Sequence, residues 1–320
     1  MRKFLFIAII LFPMMSFSQE KDNYKEASKQ FMLHFNAADY EAIFNMFDDS
    51  MKSSLPKEQA VPFLEDMASR LGKIKSMSFS NTKQTAHNYK TTFDEGFQDI
   101  LIYLNAENEV GGLFVLPHKP ADLSKLNRNT TKMILPFNDE WYVFWGGVTP
   151  DDNYHVAYEN QSGAYDFIMM KDGKNHEGAG TINEDYYAFG KEIIAPCNAK
   201  VVKVISGLRD NNPGRMNPNN PTGNTVILET KNKEFIVLAH FKAKSIVVKE
   251  GQEIKQGEVL GLCGNSGNSS EPHVHLSLQN VLDIDIATGA QLYFEEILVN
   301  GEVKEDYLPL KNEKIQNIKL

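Results

Sequence analysis

The chain has 320 residues, enough for two ordinary domains, and 42% of them are apolar, so a core can form without a disulfide framework. Its 33 Lys and Arg stand against 42 Asp and Glu, a net charge of -9, which excludes the basic surface that non-specific nucleic-acid binding needs. No long block of like charge marks a tail for nucleic acid or anionic lipid.

Residues 1–18 read as an export signal. Arg2 and Lys3 form a basic start, an apolar run follows from Phe4 to Leu11, and Ser16-Phe17-Ser18 supplies small residues for cleavage. The run is shorter than the roughly 20 apolar residues of a membrane span. Cleavage is therefore expected, leaving no stable span and a periplasmic or secreted destination. No cysteine lies near the cleavage point, which argues against a lipid anchor. Cys197 and Cys263 either pair or stay as two buried thiols.

Residues 20–72 read as helical, with Phe31, Phe35, Tyr40, Ile43, Phe44 and Phe47 at helical spacing. Asp39 is placed to cap a helix beginning at Tyr40. Pro56 opens another that runs through Phe63, Met67 and Leu71 and ends at Gly72. The period then changes. Met77 to Phe79, Tyr89 to Phe93, Ile100 to Leu104 and Val110 to Val115 read as strands, with Gly111 and Gly112 marking a bulge. Helices followed by an antiparallel meander predict an α+β domain over 20–117. It resembles the cone-shaped fold of nuclear transport factor 2, and no catalytic set is visible in it. His34, His87 and His118 are isolated there, with surface or core roles expected.

The polar stretch 118–132 reads as a linker. From 133 to 320 short β-rich runs alternate with Gly, Pro, Asn and Asp turns: Trp141 to Trp145, Lys200 to Ile205, Thr225 to Glu229, Phe235 to Phe241, Val259 to Leu262 and His273 to Leu278. This predicts an all-β antiparallel sheet or barrel-like domain. Arg209 to Gly223 reads as a long loop of the kind that shapes access to a site.

The chemistry lies in this second region. On a strand, His273, His275, Ser277 and Gln279 share one face, while Val274, Leu276 and Leu278 share the other. Two imidazoles on one face can aim at one point, and neutral imidazole ligates zinc. The Gly264-to-Pro272 turn delivers them at a sheet end. His240 interrupts an apolar strand and taken alone reads as a core histidine. Asp166 is a lone carboxylate in an apolar strand, a residue type rarely buried unless paired, metal-bound or held by backbone amides.

Taken in order, Ala164-Tyr165-Asp166-Phe167, Gly190 to Pro196, Gly223 to Leu228, Leu238-Ala239-His240-Phe241, Val248 to Gly261 and Pro272-His273-Val274-His275 resemble the lysostaphin/LytM-type zinc metallopeptidases (peptidase family M23) over about 142–279. The resemblance implies a zinc-dependent endopeptidase that cleaves peptide bonds of peptidoglycan cross-links or stem peptides. It implies Asp166 and His275 as zinc ligands, with His240 and His273 catalytic. The commonest pattern has a histidine four residues before the aspartate, where this chain has Ser162. His155, eleven residues before Asp166, is assigned instead, after relatives with a longer excursion. The rival, His176, is expected at the surface. Two histidines and a carboxylate leave a fourth zinc position open, as a catalytic site requires. His273 is expected to shuttle the proton and His240 to stabilise the oxyanion. A non-catalytic relative that binds the wall or activates another hydrolase, and a hydrolase of other extracytoplasmic peptides, are the alternatives.

Overall fold

The structure, a computed structural model, describes residues 19–120 and 123–318. The expected export signal lies outside the described residues. The chain divides into two units at Pro120 and Ala121.

The first unit begins with four helices, α1 (Asp22–Asn36), α2 (Tyr40–Asn45), α3 (Asp49–Ser54) and α4 (Lys57–Leu71). Tyr24, Ala27, Ser28, Phe31 and Phe35 form the buried stripe of α1, at the three-to-four residue spacing of one helical face. Asp39 accepts a hydrogen bond from the Ala42 amide and so caps α2. Asp48 does the same for Met51 and starts α3, a helix the sequence reading did not separate. Helix α4 ends at Gly72, whose φ of 74° stops the helix. Four strands follow, β1 (Ile74–Lys83), β2 (Ala86–Phe93), β3 (Gly96–Leu104) and β4 (Val110–Pro117), in an antiparallel sheet of sequential order. The expected glycine bulge is present: Tyr103 faces Gly112 and Leu104 faces Val110, leaving Gly111 as the extra residue. Tyr89, Phe93, Ile100 and Ile102 pack with the helix residues in one apolar cluster.

The second unit is built on an antiparallel sheet. Its strands are β5 (Trp141–Trp145), β6 (Tyr165–Ile168), β7 (Glu192–Ile194), β8 (Ala199–Ile205), β9 (Asn224–Glu229), β10 (Phe235–Phe241), β11 (Glu253–Ile254), β12 (Val259–Leu262), β13 (Val274–Gln279), β14 (Gly289–Ala290), β15 (Phe294–Val299), β16 (Glu302–Tyr307) and β17 (Lys314–Asn317). The large sheet runs β11-β8-β9-β10-β13-β6-β5-β17-β15-β16, with β14 added to β13 and a separate β12-β7 pair. Among the described residues the end strands β11 and β16 do not pair with each other, so the sheet is open rather than a closed barrel. Trp141, Tyr165, Phe167, Leu228, Leu238, Phe241, Leu276 and Phe294 lie in its core.

The stretch read as a linker is bound into this unit at its C-terminal end. Asn129 donates to the carbonyls of Thr131 and Tyr293, and the Thr130 and Thr131 amides donate to the buried Glu234 carboxylate. The reason is electrostatic: Glu234 is 1% exposed and needs these donors. Among the described residues, no helix is long and apolar enough to cross a membrane.

Candidate metal centre

Three neighbouring strands carry the site. Asp166 in β6 and His275 in β13 are Cα partners, and Ala239 in β10 partners His275 on its other side. Alternation sends Tyr165, Phe167, Val274, Leu276 and Leu278 into the core. Asp166 and His275 therefore emerge together on the opposite face. His240 departs from alternation. Ile236, Leu238 and Phe241 are all core residues, so both Ala239 and His240 fall between them on the site side. The register shift between Leu238 and Phe241 and a φ of 63° at His240 record this bulge. The left-handed conformation costs a non-glycine residue about 1–2 kcal/mol, and such strain gathers at functional sites. The surrounding loops hold it: the His240 amide donates to Thr222 O at 3.0 Å, and Nδ1 lies 2.8 Å from Ser266 O. His273 immediately precedes β13, with Nδ1 2.8 Å from Glu271 O.

His155 arrives from outside the sheet, on a 3-10 turn (Tyr154–Ala157) that Asn153 caps by accepting from the His155 amide. Candidate ligand atoms of His155, Asp166 and His275 all lie within 4.8 Å of one another. His155 Nε2 is 3.5 Å from Asp166 Oδ2, and His275 Nδ1 is 2.9 Å from Asp166 Oδ1. His273 Nε2 is 3.6 Å from the same Oδ1, and the His240 and His273 ring centroids are 4.8 Å apart. Five sequence-expected residues thus meet in one place, four of them buried: His155, Asp166, His240 and His275.

The electrostatics follow from burial. Burial pushes the His155 imidazole down to about 4, against the pull of Asp166, so it is neutral at pH 7. Burial likewise holds His240 well below the usual imidazole range, with His273 and His275 adding to it. For Asp166, burial acts upward, but the His273, His275 and His155 imidazoles outweigh it and keep the carboxyl well below its ordinary range. The site therefore sets an ionised Asp166 carboxylate beside the neutral rings of His155 and His240. His155 Nε2 is buried and has no hydrogen-bond partner. A buried lone pair facing a carboxylate is unfavourable alone and favourable around a cation. Two imidazoles and one carboxylate are the donor set of catalytic zinc sites, so the residues fit the ion.

Ser162 donates to Gly289 O, so the residue at the commonest ligand position serves the backbone instead. His176 stacks on Tyr186 with ring centroids 5.3 Å apart and lies half-buried rather than at the open surface. In the first unit, His87 stacks on Tyr24, His118 pairs with Asp99 and His34 with Asp39. Cys197 and Cys263 are separate buried thiols, and burial pushes the Cys197 thiol up to about 12. The long loop, 209–223, is stapled to the turn before β13: Asn211 Nδ2 donates to Gly267 O and Ser269 O, and Asp210 accepts from the Asn265 and Ala243 amides. The sequence reading missed Asn153. Its only signal was an amide residue two places before a histidine, which is common in turns.

Two family descriptions match the chain. Residues 28–113 match a family described as a protein of unknown function, DUF3887, and residues 183–295 match peptidase family M23. The second match spans His240, His273 and His275 and begins downstream of His155 and Asp166. No curated protein matches the chain. Among solved structures, the catalytic domain of the antimicrobial peptidase lysostaphin from Staphylococcus simulans is 20% identical, covering 48% of this chain and 88% of that one, with a TM-score of 0.28. A putative peptidase M23 from Pseudomonas aeruginosa is 17% identical over 65% of this chain and 71% of that one, TM-score 0.29. Pseudoalterin, a deep-sea M23 metalloprotease, is 16% identical over 57% and 92%, TM-score 0.33. Residues 183–295, the stretch that matches peptidase family M23, lie within the second unit.

Proposed function

We propose that the second unit is a zinc-dependent metalloendopeptidase that hydrolyses peptide bonds in peptidoglycan cross-links or stem peptides outside the cytoplasm. His155, Asp166 and His275 would hold one zinc ion. The observation that carries the reading is the convergence of these three groups, from a turn and two strands, around a buried and otherwise partnerless His155 Nε2.

When bound, zinc supplies Lewis acidity at the scissile carbonyl and makes an attacking water acidic near neutral pH. The chain's own groups supply the proton path. His240 and His273 each direct Nδ1 at a backbone carbonyl, Ser266 O and Glu271 O, so each Nδ1 carries the hydrogen. Each Nε2 then has a free lone pair. Either ring begins as a proton acceptor and, once protonated, donates from the same atom to the leaving amine. In this tautomer His240 serves the oxyanion only after it has gained a proton, which favours proton acceptance as its first role. The low exposure of Asp166, His240 and His275 strengthens each of these interactions.

Metal analysis of the purified chain should find one zinc, and His275→Ala should lose it. His273→Ala should keep the metal and lower kcat by about 10²–10⁴-fold. Digestion of purified peptidoglycan beside a casein control, with products read by mass spectrometry, tests the substrate. Release of wall peptides that stops on chelation supports the proposal. Wall binding without any product points to the non-catalytic alternative, and casein cleavage alone points to another peptide substrate.

A further inference from the structure

Asn153 is buried, and its contacts admit one orientation. Its Nδ2 lies 3.1 Å from Gly147 O and 2.9 Å from Ala164 O. Both are carbonyls, which only accept, so the amide nitrogen must face them and Oδ1 must face the other way. There Oδ1 lies 2.8 Å from His155 Nδ1 and 3.2 Å from the His155 amide nitrogen. An amide oxygen only accepts, so His155 Nδ1 carries the hydrogen and Nε2 carries the lone pair. That lone pair is the atom left without a partner, 3.5 Å from Asp166 Oδ2. The Tyr154 ring, 4.0 Å from the His155 ring between centroids, lies against the imidazole. One side chain thus joins three parts of the chain: the backbone after β5 at Gly147, the turn that bears His155, and Ala164, two residues before Asp166.

We infer that Asn153 is a positioning residue for the metal: it selects the Nδ1–H tautomer of His155 and aims Nε2 at Asp166 and His275. Its side chain lets a histidine eleven residues upstream of the aspartate serve as a ligand although it lies outside the sheet. The inference rests on the zinc reading above.

Long-range proton–nitrogen NMR of the metal-free wild-type chain near pH 7 should show His155 as the Nδ1–H tautomer. An Nε2–H tautomer overturns the inference, and this measurement needs no variant to fold. Zinc affinity by chelator competition supplies the second arm. Asn153→Ala removes the acceptor and should weaken zinc binding about 10–100-fold. Asn153→Asp keeps an acceptor for Nδ1 but loses both donations to carbonyls. It should melt lower while holding zinc within about threefold of wild type, as orienting carboxylates do. A merely structural role predicts parallel losses of melting temperature and zinc affinity in both variants, and that result overturns the inference. So does unchanged affinity in Asn153→Ala. If wild type binds zinc and His155→Ala does not, a failure at Asn153 sinks this inference alone. If wild type binds no zinc, or His155→Ala binds it equally well, the ligand assignment itself falls and takes the role of Asn153 with it.

Discussion

Glu234 shows how one buried charge organises its surroundings. Its carboxylate accepts from the Thr130 amide and hydroxyl, the Thr131 amide and the Thr230 hydroxyl. Burial acts to raise its pKa, but these donors outweigh burial and hold it below the ordinary glutamate value. The group is ionised in the fold at a pH where the unfolded chain has begun to bind a proton. Its contribution is therefore full above about pH 4.5 and is lost as pH falls through the folded value. Glu234→Ala should destabilise the second unit by about 1–3 kcal/mol at neutral pH, because it leaves buried donors unpaired. Urea unfolding checks this, and a shift of a few tenths of a kcal/mol would contradict it. His155 gives a second acid-sensitive term, in a higher window. Its folded value of about 4 lies below the unfolded 6.5. The unfolded state thus binds the proton first, and stability falls as pH drops from about 6.5 to about 4. The metal-free chain should lose roughly 3 kcal/mol across that window from this residue. His155→Gln, followed by urea unfolding at several pH values, should flatten the curve there.

At the scale of elements, the strands that carry the site were legible and the contacts around them were not. β5, β10 and β12 have the bounds expected from short β-rich runs between turn residues; β5 alternates, whereas β10 is buried nearly throughout and shows as a continuous apolar run. β7, β11 and β14 to β17 passed unnoticed. β7, β11, β14 and β17 are short, and β16, with Glu302, Lys304, Glu305 and Asp306, lies at an edge and buries little; β15 lies inside the sheet, but its buried Phe294, Ile297 and Val299 are split by Glu295 and Glu296 and break the alternation. The loop–turn junction is a matter of backbone approach. Gly223 and Gly267 have φ of 64° and 81°, and a Cβ on Gly267 would come within 2.3 Å of the Gly223 nitrogen. The adjoining Thr222 and Ser266 carbonyls are the partners of His240. Gly267→Ala should therefore push the 209–223 loop away from the turn, lower the melting temperature and reduce kcat, while zinc content stays at one. An unchanged melt and rate would show that the junction yields without effect on His240.

At the scale of the molecule, the two units have separate apolar clusters, one of helices and a four-stranded meander, the other of the large sheet. Each has what independent folding requires. A chain beginning at Leu123 should melt cooperatively and retain zinc. A chain beginning at Lys132 removes Asn129, Thr130 and Thr131, leaves Glu234 short of donors, and should melt several degrees lower. Calorimetry of the two truncated chains decides this, and equal melting temperatures would contradict it.

The sequence by itself carried the α+β and all-β characters of the two parts, and its resemblance to a known family singled out Asp166, His240, His273 and His275 as candidate site residues. The first follows from local period; the second follows from the order of motifs, since taken alone His240 reads as a core histidine. Only the tertiary structure decided the rest. It brought His155 to Asp166 across an eleven-residue excursion, turned His240 out of the core through a left-handed bulge, and bound residues 128–132 into the second unit. Each of these depends on hydrogen bonds between residues far apart in the chain: Asn153 to Ala164, His240 to Ser266, Thr130 to Glu234. A periodicity along the sequence reports which face a residue takes within its own strand. It carries no information about which distant carbonyl or carboxylate will meet that face once the strands have paired.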